Sequence, residues 1–259
     1  MSSPAILQAG SGDTAVVMLH GVGGAKEAWA STLAALSGAG FRGIAWDMPG
    51  YGDSPMIDPY TNEGLARALE SLLDAALARR VVLLGHSMGG MVAQEALALF
   101  PHKIDGLILS GTSPAFGAPG GTWQQGFLQS RFAPLDAGRG MAALAAELVP
   151  AMMGPGAEAA AQAAAAAMMS RVPEAAYRAA LSAIVAFDRR AQLADIRVPT
   201  LALAGAHDRN AAPAVMEKMA ARIPGCEYRC LPDVGHLANL ENPAAFDAAV
   251  VDFLNRHFA

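Results

Sequence analysis

Ser87 sits in GHSMGG, directly after the apolar run Val81–Leu84 and directly before MVAQEALALF, whose apolar residues recur at helical spacing and stop at Pro101. A strand buried on both faces, a sharp turn and a helix therefore meet at this serine. Gly85, Ser87 and Gly89 fit G-x-S-x-G, in which the missing side chains let strand and helix backbones close around a serine held in a strained conformation with its hydroxyl exposed. Serine and glycine also punctuate ordinary turns; the strand-to-helix frame is what marks a nucleophile here. A serine hydroxyl needs a base to take its proton, and the base needs an acid to orient it. TLALAG (Thr200–Gly205) runs into AHDRN, and CEYRCLP (226–232) runs into DVGHLANLENP, so Asp208 and His236 fall just past the ends of separate strands. The order Ser, Asp, His, with each member after its own strand, is one that brings three such side chains together. Other acids fit less well. Asp195 precedes a strand, Asp233 shares the turn of the histidine, and Asp47 and Asp53 flank the MPGYGDS turn, where Asx-type bonding accounts for them. Acyl transfer also requires N–H donors aimed at a developing oxyanion. HGVGG (His20–Gly24), following the first clear strand, offers Val22 N–H, and the residue after the serine offers Met88 N–H.

The elements that must position these groups alternate. AVVMLH (15–20), FRGIAWD (41–47), VVLLG (81–85), GLILSG (106–111), TLALAG and CEYRCLP read as strands; 29–40, 62–79, 91–100, 213–224 and 243–258 read as helices. This is an α/β pattern: a mostly parallel central sheet with helices on both faces, whose right-handed crossovers put the functional strand ends along one edge. Between about Thr112 and Arg190 the strands disappear and helical pieces follow one another at 121–132, 140–153, 157–172 and 174–187. The alanine run Ala157–Ala167 favours helix strongly and reads as a plain packed helix. The expected organisation is a core in two parts, 1–112 and 191–259, with a helical cap at 113–190 that excludes water and shapes specificity.

The chain has 259 residues, 53% hydrophobic and 16% charged, enough to bury a large core in one domain with an insertion. A net charge of −5 offers no basic stripe, so nucleic acid is not an expected partner. MSSPAILQAGSGD has no basic and apolar leader pattern and no later segment reads as a membrane span, so a soluble, cytoplasmic protein is expected. Cys226 and Cys230, four apart on a strand, would lie about 13 Å apart, beyond disulfide reach. No metal-ligand spacing accompanies them, and no metal is expected. Of the other histidines, His86 reads as a packing or hydrogen-bonding residue and His207 as pointing away from the acid; His102 and His257 read as solvated. Trp29 reads as packing against the helix that follows it.

Taken together, HGVGG, WDMPGYGDS, GHSMGG, AGAHD and GHLANLENP, in that order, resemble the α/β-hydrolase fold superfamily. IRVPTLALAGAHD followed by PDVGHLANLENPAAF is most similar to the branch of 3-oxoadipate enol-lactonases and small carboxylesterases. The chain departs from the carbon–carbon hydrolases of aromatic-ring degradation, having His86 where they tend to carry asparagine and Leu237 where they tend to carry tryptophan. Ser87 in place of aspartate disfavours dehalogenase and epoxide hydrolase chemistry. The resemblance implies a cofactor-free serine hydrolase that cleaves a small carboxylic ester or lactone through an acyl-enzyme intermediate, with catalytic Ser87, Asp208 and His236. Two alternatives stay open: a carbon–carbon hydrolase of a ring-fission product with the same triad, and a non-catalytic ligand receptor on the same fold.

The cap carries Phe116, Trp123, Phe127, Phe132, Met152, Met153, Met168, Met169 and Phe187, most of which would glue its helices together. Trp123, Phe127, Phe132 and Phe187 are the candidates to line a substrate pocket. Arg131, Arg139, Arg171, Arg178, Arg189 and Arg190 read singly as surface residues, although an enol-lactone with a free carboxylate would want a guanidinium partner.

Overall fold

In the computed structural model, residues 4–76, 78–117 and 121–259 are described. Seven strands form one sheet in the order β1-β3-β2-β4-β5-β6-β7. They are β1 (Ile6–Ala9), β2 (Thr14–Leu19), β3 (Arg42–Trp46), β4 (Arg80–His86), β5 (Gly106–Ser110), β6 (Thr200–Gly205) and β7 (Glu227–Leu231). Every neighbouring pair is parallel except β1 with β3, where Ile6 stands opposite Trp46 in antiparallel register. The central strands are the apolar runs of the sequence because both of their faces are covered. Val17, Leu19 and Leu83 belong to one buried cluster, and their chain neighbours Val16, Met18, Val82 and Leu84 to the other. β1 escapes this logic: Ile6 and Leu7 are each 37% exposed, and the strand is held by its backbone pairing, so no burial pattern marks it in the sequence.

Helices α1 (Ala30–Gly38) and α10 (Pro243–Phe258) cover one face, where Trp29, Phe246 and Phe253 are almost fully buried. α2 (Asn62–Ala75), α3 (Met88–Leu99) and α8 (Pro213–Ala220) contribute to the cluster on the other. The ends follow local chemistry. The Thr61 hydroxyl accepts from Gly64 N at 3.0 Å at the start of α2, whose predicted continuation crosses Leu77, outside the described residues. At α10, Asn242 accepts from Ala245 N and Pro243 occupies the first turn. A short helix, α9 (Ala238–Glu241), follows His236 where no separate element is expected from the sequence.

Between β5 and β6 the chain leaves the sheet and builds α4 (Thr122–Asp136), α5 (Gly140–Met152), α6 (Ala159–Ser170) and α7 (Glu174–Val185). Its outgoing and returning segments run side by side: Phe116 N donates to Phe187 O at 3.2 Å, Arg189 N to Pro114 O at 2.7 Å, and Ala115 pairs with Asp188. The Arg189 guanidinium also reaches both carboxylate oxygens of Glu95 on α3, tying this neck to the core. Among the described residues no helix is long and apolar enough to cross a membrane.

Candidate active site

Ser87 occupies the tight turn from β4 to α3 with φ 53° and ψ −119°, a backbone conformation that side-chain-bearing residues rarely adopt. A Cβ on Gly89 would run into the Leu19 carbonyl, and one on Gly85 into the backbone of Gly89 and Gly90, which explains both glycines. The strained residue is pinned on both sides: its N–H donates to Ser110 O at 2.8 Å, and its carbonyl accepts from the Thr112 hydroxyl at 2.7 Å. Ser87 holds the N-cap position of α3, yet its hydroxyl caps no backbone N–H. It donates instead to His236 Nε2 at 3.0 Å. On the other edge of the imidazole, Nδ1–H donates to Asp208 Oδ2 at 2.8 Å. The structure thus brings Ser87, His236 and Asp208 into one hydrogen-bonded chain, drawn from three different strand ends.

Asp208 is 3% exposed, and its second oxygen accepts from Asn210 N and Ala211 N at 2.7 and 2.9 Å. Burial works to raise its pKa, but the neighbouring imidazole and these donors outweigh burial and hold the carboxyl below its ordinary value. Of the competing acids, Asp195 and Asp233 are exposed, and Asp233 occupies a turn with φ 60°. Asp47 departs from expectation. Its carboxylate is fully buried and, instead of closing an Asx turn, accepts from Lys26 N at 2.9 Å and pairs with the Lys26 ammonium, 21 residues away.

That ion pair anchors the loop following β2. Further back in the loop, His20 Nδ1–H donates to Gly21 O at 2.8 Å, its Nε2 accepts from Met48 N at 2.9 Å, and the Tyr51 hydroxyl donates to Val22 O at 3.0 Å. These bonds require neutral imidazole, and burial lowers the His20 pKa accordingly. Val22 and Met88 both line the cavity beside Ser87, and among the described residues neither N–H has a protein acceptor. His86 is buried with its ring centroid 4.8 Å from that of His236; burial first, then the neighbouring imidazole, push its pKa down to about 3. It is a neutral neighbour of His236.

The cavity has a volume of about 350 Å³. The sheet side supplies His20–Gly24, Ser87, Met88 and His236; the inserted helices supply Trp123, Phe127, Arg131, Met152, Met168, Met169 and Tyr177. Phe116, Trp123 and Phe127 form one aromatic group with centroids 4.7 to 6.3 Å apart, and Trp123 is 60% exposed. Phe132 and Phe187, expected beside them, do not reach the cavity. The Phe132 ring carries the Arg178 guanidinium at 4.9 Å, and Phe187 is buried at the neck of the insertion. Met153 is likewise outside the lining, and among the arginines named from the sequence only Arg131 is part of it; Arg209, next to Asp208, joins it from the core.

One residue absent from the sequence expectations organises the segment around His236. The Glu241 carboxylate, on α9, accepts from Gly235 N and Leu237 N, each at 2.9 Å, on either side of His236, and from Gly154 N at 2.7 Å in the insertion. His236 N itself donates to Met152 O, at the end of α5, at 2.7 Å. The spacing His-x-x-x-x-Glu was the available signal, but its third donor lies 87 residues away in the chain.

Residues 14–243 match the family model described as alpha/beta hydrolase fold. The RutD protein of Variovorax paradoxus (strain S110), whose name refers to carbamate hydrolysis, is 32% identical over 93% of this chain and 92% of its own length. The 2-hydroxy-6-oxononadienedioate/2-hydroxy-6-oxononatrienedioate hydrolase of Cupriavidus pinatubonensis (strain JMP 134 / LMG 1197) is 31% identical over 95% of this chain and 88% of its own. Among solved structures, the enol-lactonase from Burkholderia xenovorans LB400 superposes with a TM-score of 0.84 at 29% identity, covering 97% of this chain and 96% of that one.

Proposed function

Because the chain belongs to the α/β-hydrolase fold family, near its enol-lactonase and esterase members, we propose that it is a serine hydrolase cleaving a small carboxylic ester or lactone. The observation that carries this reading is the continuous chain from Ser87 Oγ through His236 to Asp208, opening on a cavity beside two unclaimed N–H groups. His236 takes the Ser87 proton as Oγ attacks the carbonyl carbon, and the carbonyl oxygen becomes an oxyanion facing Val22 N–H and Met88 N–H. Asp208, kept ionised, stabilises the imidazolium and fixes its tautomer. The imidazolium then protonates the departing alkoxide, leaving an acyl group on Ser87; in a lactone the alkoxide stays tethered to it. Water, deprotonated by the same histidine, attacks the acyl carbon and releases the acid and free serine.

Residues 113–190 act in this reading as a cap, and Trp123 and Phe127 as substrate contacts. The ester or lactone bond is preferred to the carbon–carbon bond because His86 and Leu237 stand where the carbon–carbon hydrolases tend to carry other residues. The experiment is a panel of p-nitrophenyl esters, small lactones and a ring-fission dienone assayed side by side, with fluorophosphonate labelling of wild type and Ser87→Ala. Ester or lactone turnover with labelling only of the wild type is expected. Dienone cleavage without any esterase activity would overturn the bond assignment, and an unlabelled wild type would favour a ligand receptor.

A further inference from the structure

Tyr51, in the turn after β3, is not among the residues lining the cavity, yet its hydroxyl reaches into the loop that carries Val22. Three of the five residues His20–Gly24 are glycine, so the chain there has little conformational preference of its own and must be held from outside. The loop runs close to the nucleophile: a Cβ on Gly21 would stand 3.0 Å from the Ser87 Cβ. The peptide plane joining Gly21 to Val22 is gripped at its oxygen, which accepts from His20 Nδ1–H at 2.8 Å and from Gly24 N at 2.9 Å. The next plane, joining Val22 to Gly23, is gripped at its oxygen by the Tyr51 hydroxyl at 3.0 Å. A trans peptide is planar with its N–H and C=O opposed, so holding the first oxygen aims Val22 N–H the other way. Holding the second blocks the rotation about Val22 that would let the first plane swing.

The anchor is itself fixed. Tyr51 is 1% exposed, its N–H donates to Met48 O and its carbonyl accepts from Ser54 N, each at 2.9 Å. Its ring lies against that of His20, with centroids 5.1 Å apart. Burial holds the phenol well above its ordinary pKa, so it stays protonated and donates. A phenylalanine would fill the same space and meet the same imidazole; the hydroxyl answers to Val22 O. We infer that Tyr51 is a positioning residue for the reaction: its hydroxyl, by holding Val22 O, keeps Val22 N–H aimed at the oxyanion that forms when Ser87 attacks. This rests on the reading of the chain as a serine hydrolase with Val22 N–H as an oxyanion donor. A donor preorganised in this way acts on the transition state more than on the bound ester, so its misalignment falls on kcat and spares KM.

Tyr51→Phe, assayed with p-nitrophenyl butanoate, is expected to lower kcat about tenfold with KM within about twofold of wild type. Butylboronic acid, whose tetrahedral adduct on Ser87 carries an oxygen where the oxyanion forms, should bind this variant about tenfold more weakly. Tyr60→Phe is the control, because the Tyr60 hydroxyl donates to Pro49 O at 2.9 Å and not to the loop after β2. Each variant loses one hydrogen bond and a few degrees of melting temperature, but kcat and boronate affinity should change in Tyr51→Phe alone. The amide resonances of Val22 and Gly23 in isotope-labelled protein read the loop without turnover. They should shift or broaden in Tyr51→Phe and stay in place in Tyr60→Phe. If no ester is hydrolysed and the boronic acid does not bind, the hydrolase reading fails, and these resonances alone decide whether Tyr51 holds the loop. Wild-type kcat in Tyr51→Phe, unmoved amide resonances, or a loss of kcat no larger than that of Tyr60→Phe each overturns the inference.

Discussion

At Ser87 one side chain forgoes a capping bond and pairs with a histidine instead. A serine at a helix N-cap ordinarily accepts from the first turn, and loss of such a cap costs about 1 kcal/mol. Here the hydroxyl is turned to His236 instead, so Ser87→Ala removes no cap bond. That substitution should leave the unfolding midpoint close to wild type while turnover falls about 10³-fold or more, a residue of catalysis remaining in the oxyanion donors and binding; a variant with near-wild-type rates would remove the nucleophile from Ser87. Asp208→Asn keeps the shape but lets Nδ1 of His236 face an amide, which disturbs its tautomer and charge balance. A loss of about 10² to 10⁴ in kcat is expected, and equal losses for Asp195→Asn or Asp233→Asn would move the acid. These residues were legible from sequence because each follows a recognisable strand or turn. Asp47 and Glu241 were not, since a carboxylate's partners 21 and 87 residues away leave no local pattern to read.

Among the elements, the apolar strands and helix periods carried the architecture, because burial on both faces imposes a composition that can be read directly. β1 was missed for the converse reason, its side chains being largely exposed and its place set by backbone pairing. The four inserted helices were readable as helices, but which of their faces meets the cavity was not: Trp123, Phe127 and Phe132 share α4, and only the first two line it. α9 is the element with the largest leverage for its size, since Glu241 joins both sides of His236 to the insertion. Glu241→Ala leaves three N–H groups without their acceptor and should cost about 2 kcal/mol or more in urea unfolding. It should also lower kcat, whereas Glu241→Gln, which keeps the acceptor oxygen but brings an amide donor, should recover part of both. Wild-type kcat in the alanine variant would show that the base holds its place without this carboxylate.

For the molecule as a whole, the buried neutral histidines set how it meets acid. The pKa of His86 lies near 3 and that of His20 is lowered, both through burial, against about 6.5 in the unfolded chain. As pH falls through about 6.5 the unfolded chain gains protons that the folded one refuses, so stability declines by up to about 1.4 kcal/mol per pH unit for each group. Asp208, with its carboxyl held low, adds a loss of the same sign once pH falls below its unfolded value. The melting temperature should therefore drop between pH 7 and pH 4, and His86→Asn should make that drop shallower; an unchanged slope would mean that His86 is protonated without cost. The size of the cavity makes a further expectation, tested with p-nitrophenyl esters of increasing acyl length: rates should fall beyond short chains, and a preference for long ones would show that the wall of inserted helices opens. The neck of that insertion has a consequence for engineering. Since the chain departs and returns through adjoining residues, Pro114–Phe116 and Phe187–Arg189, a foreign helical segment could be spliced in at two neighbouring points without re-threading the sheet. The splice is not chemically neutral. Any replacement must bring a carbonyl to take the His236 N–H, as Met152 does, and an N–H for Glu241, as Gly154 does, or His236 will lose its place.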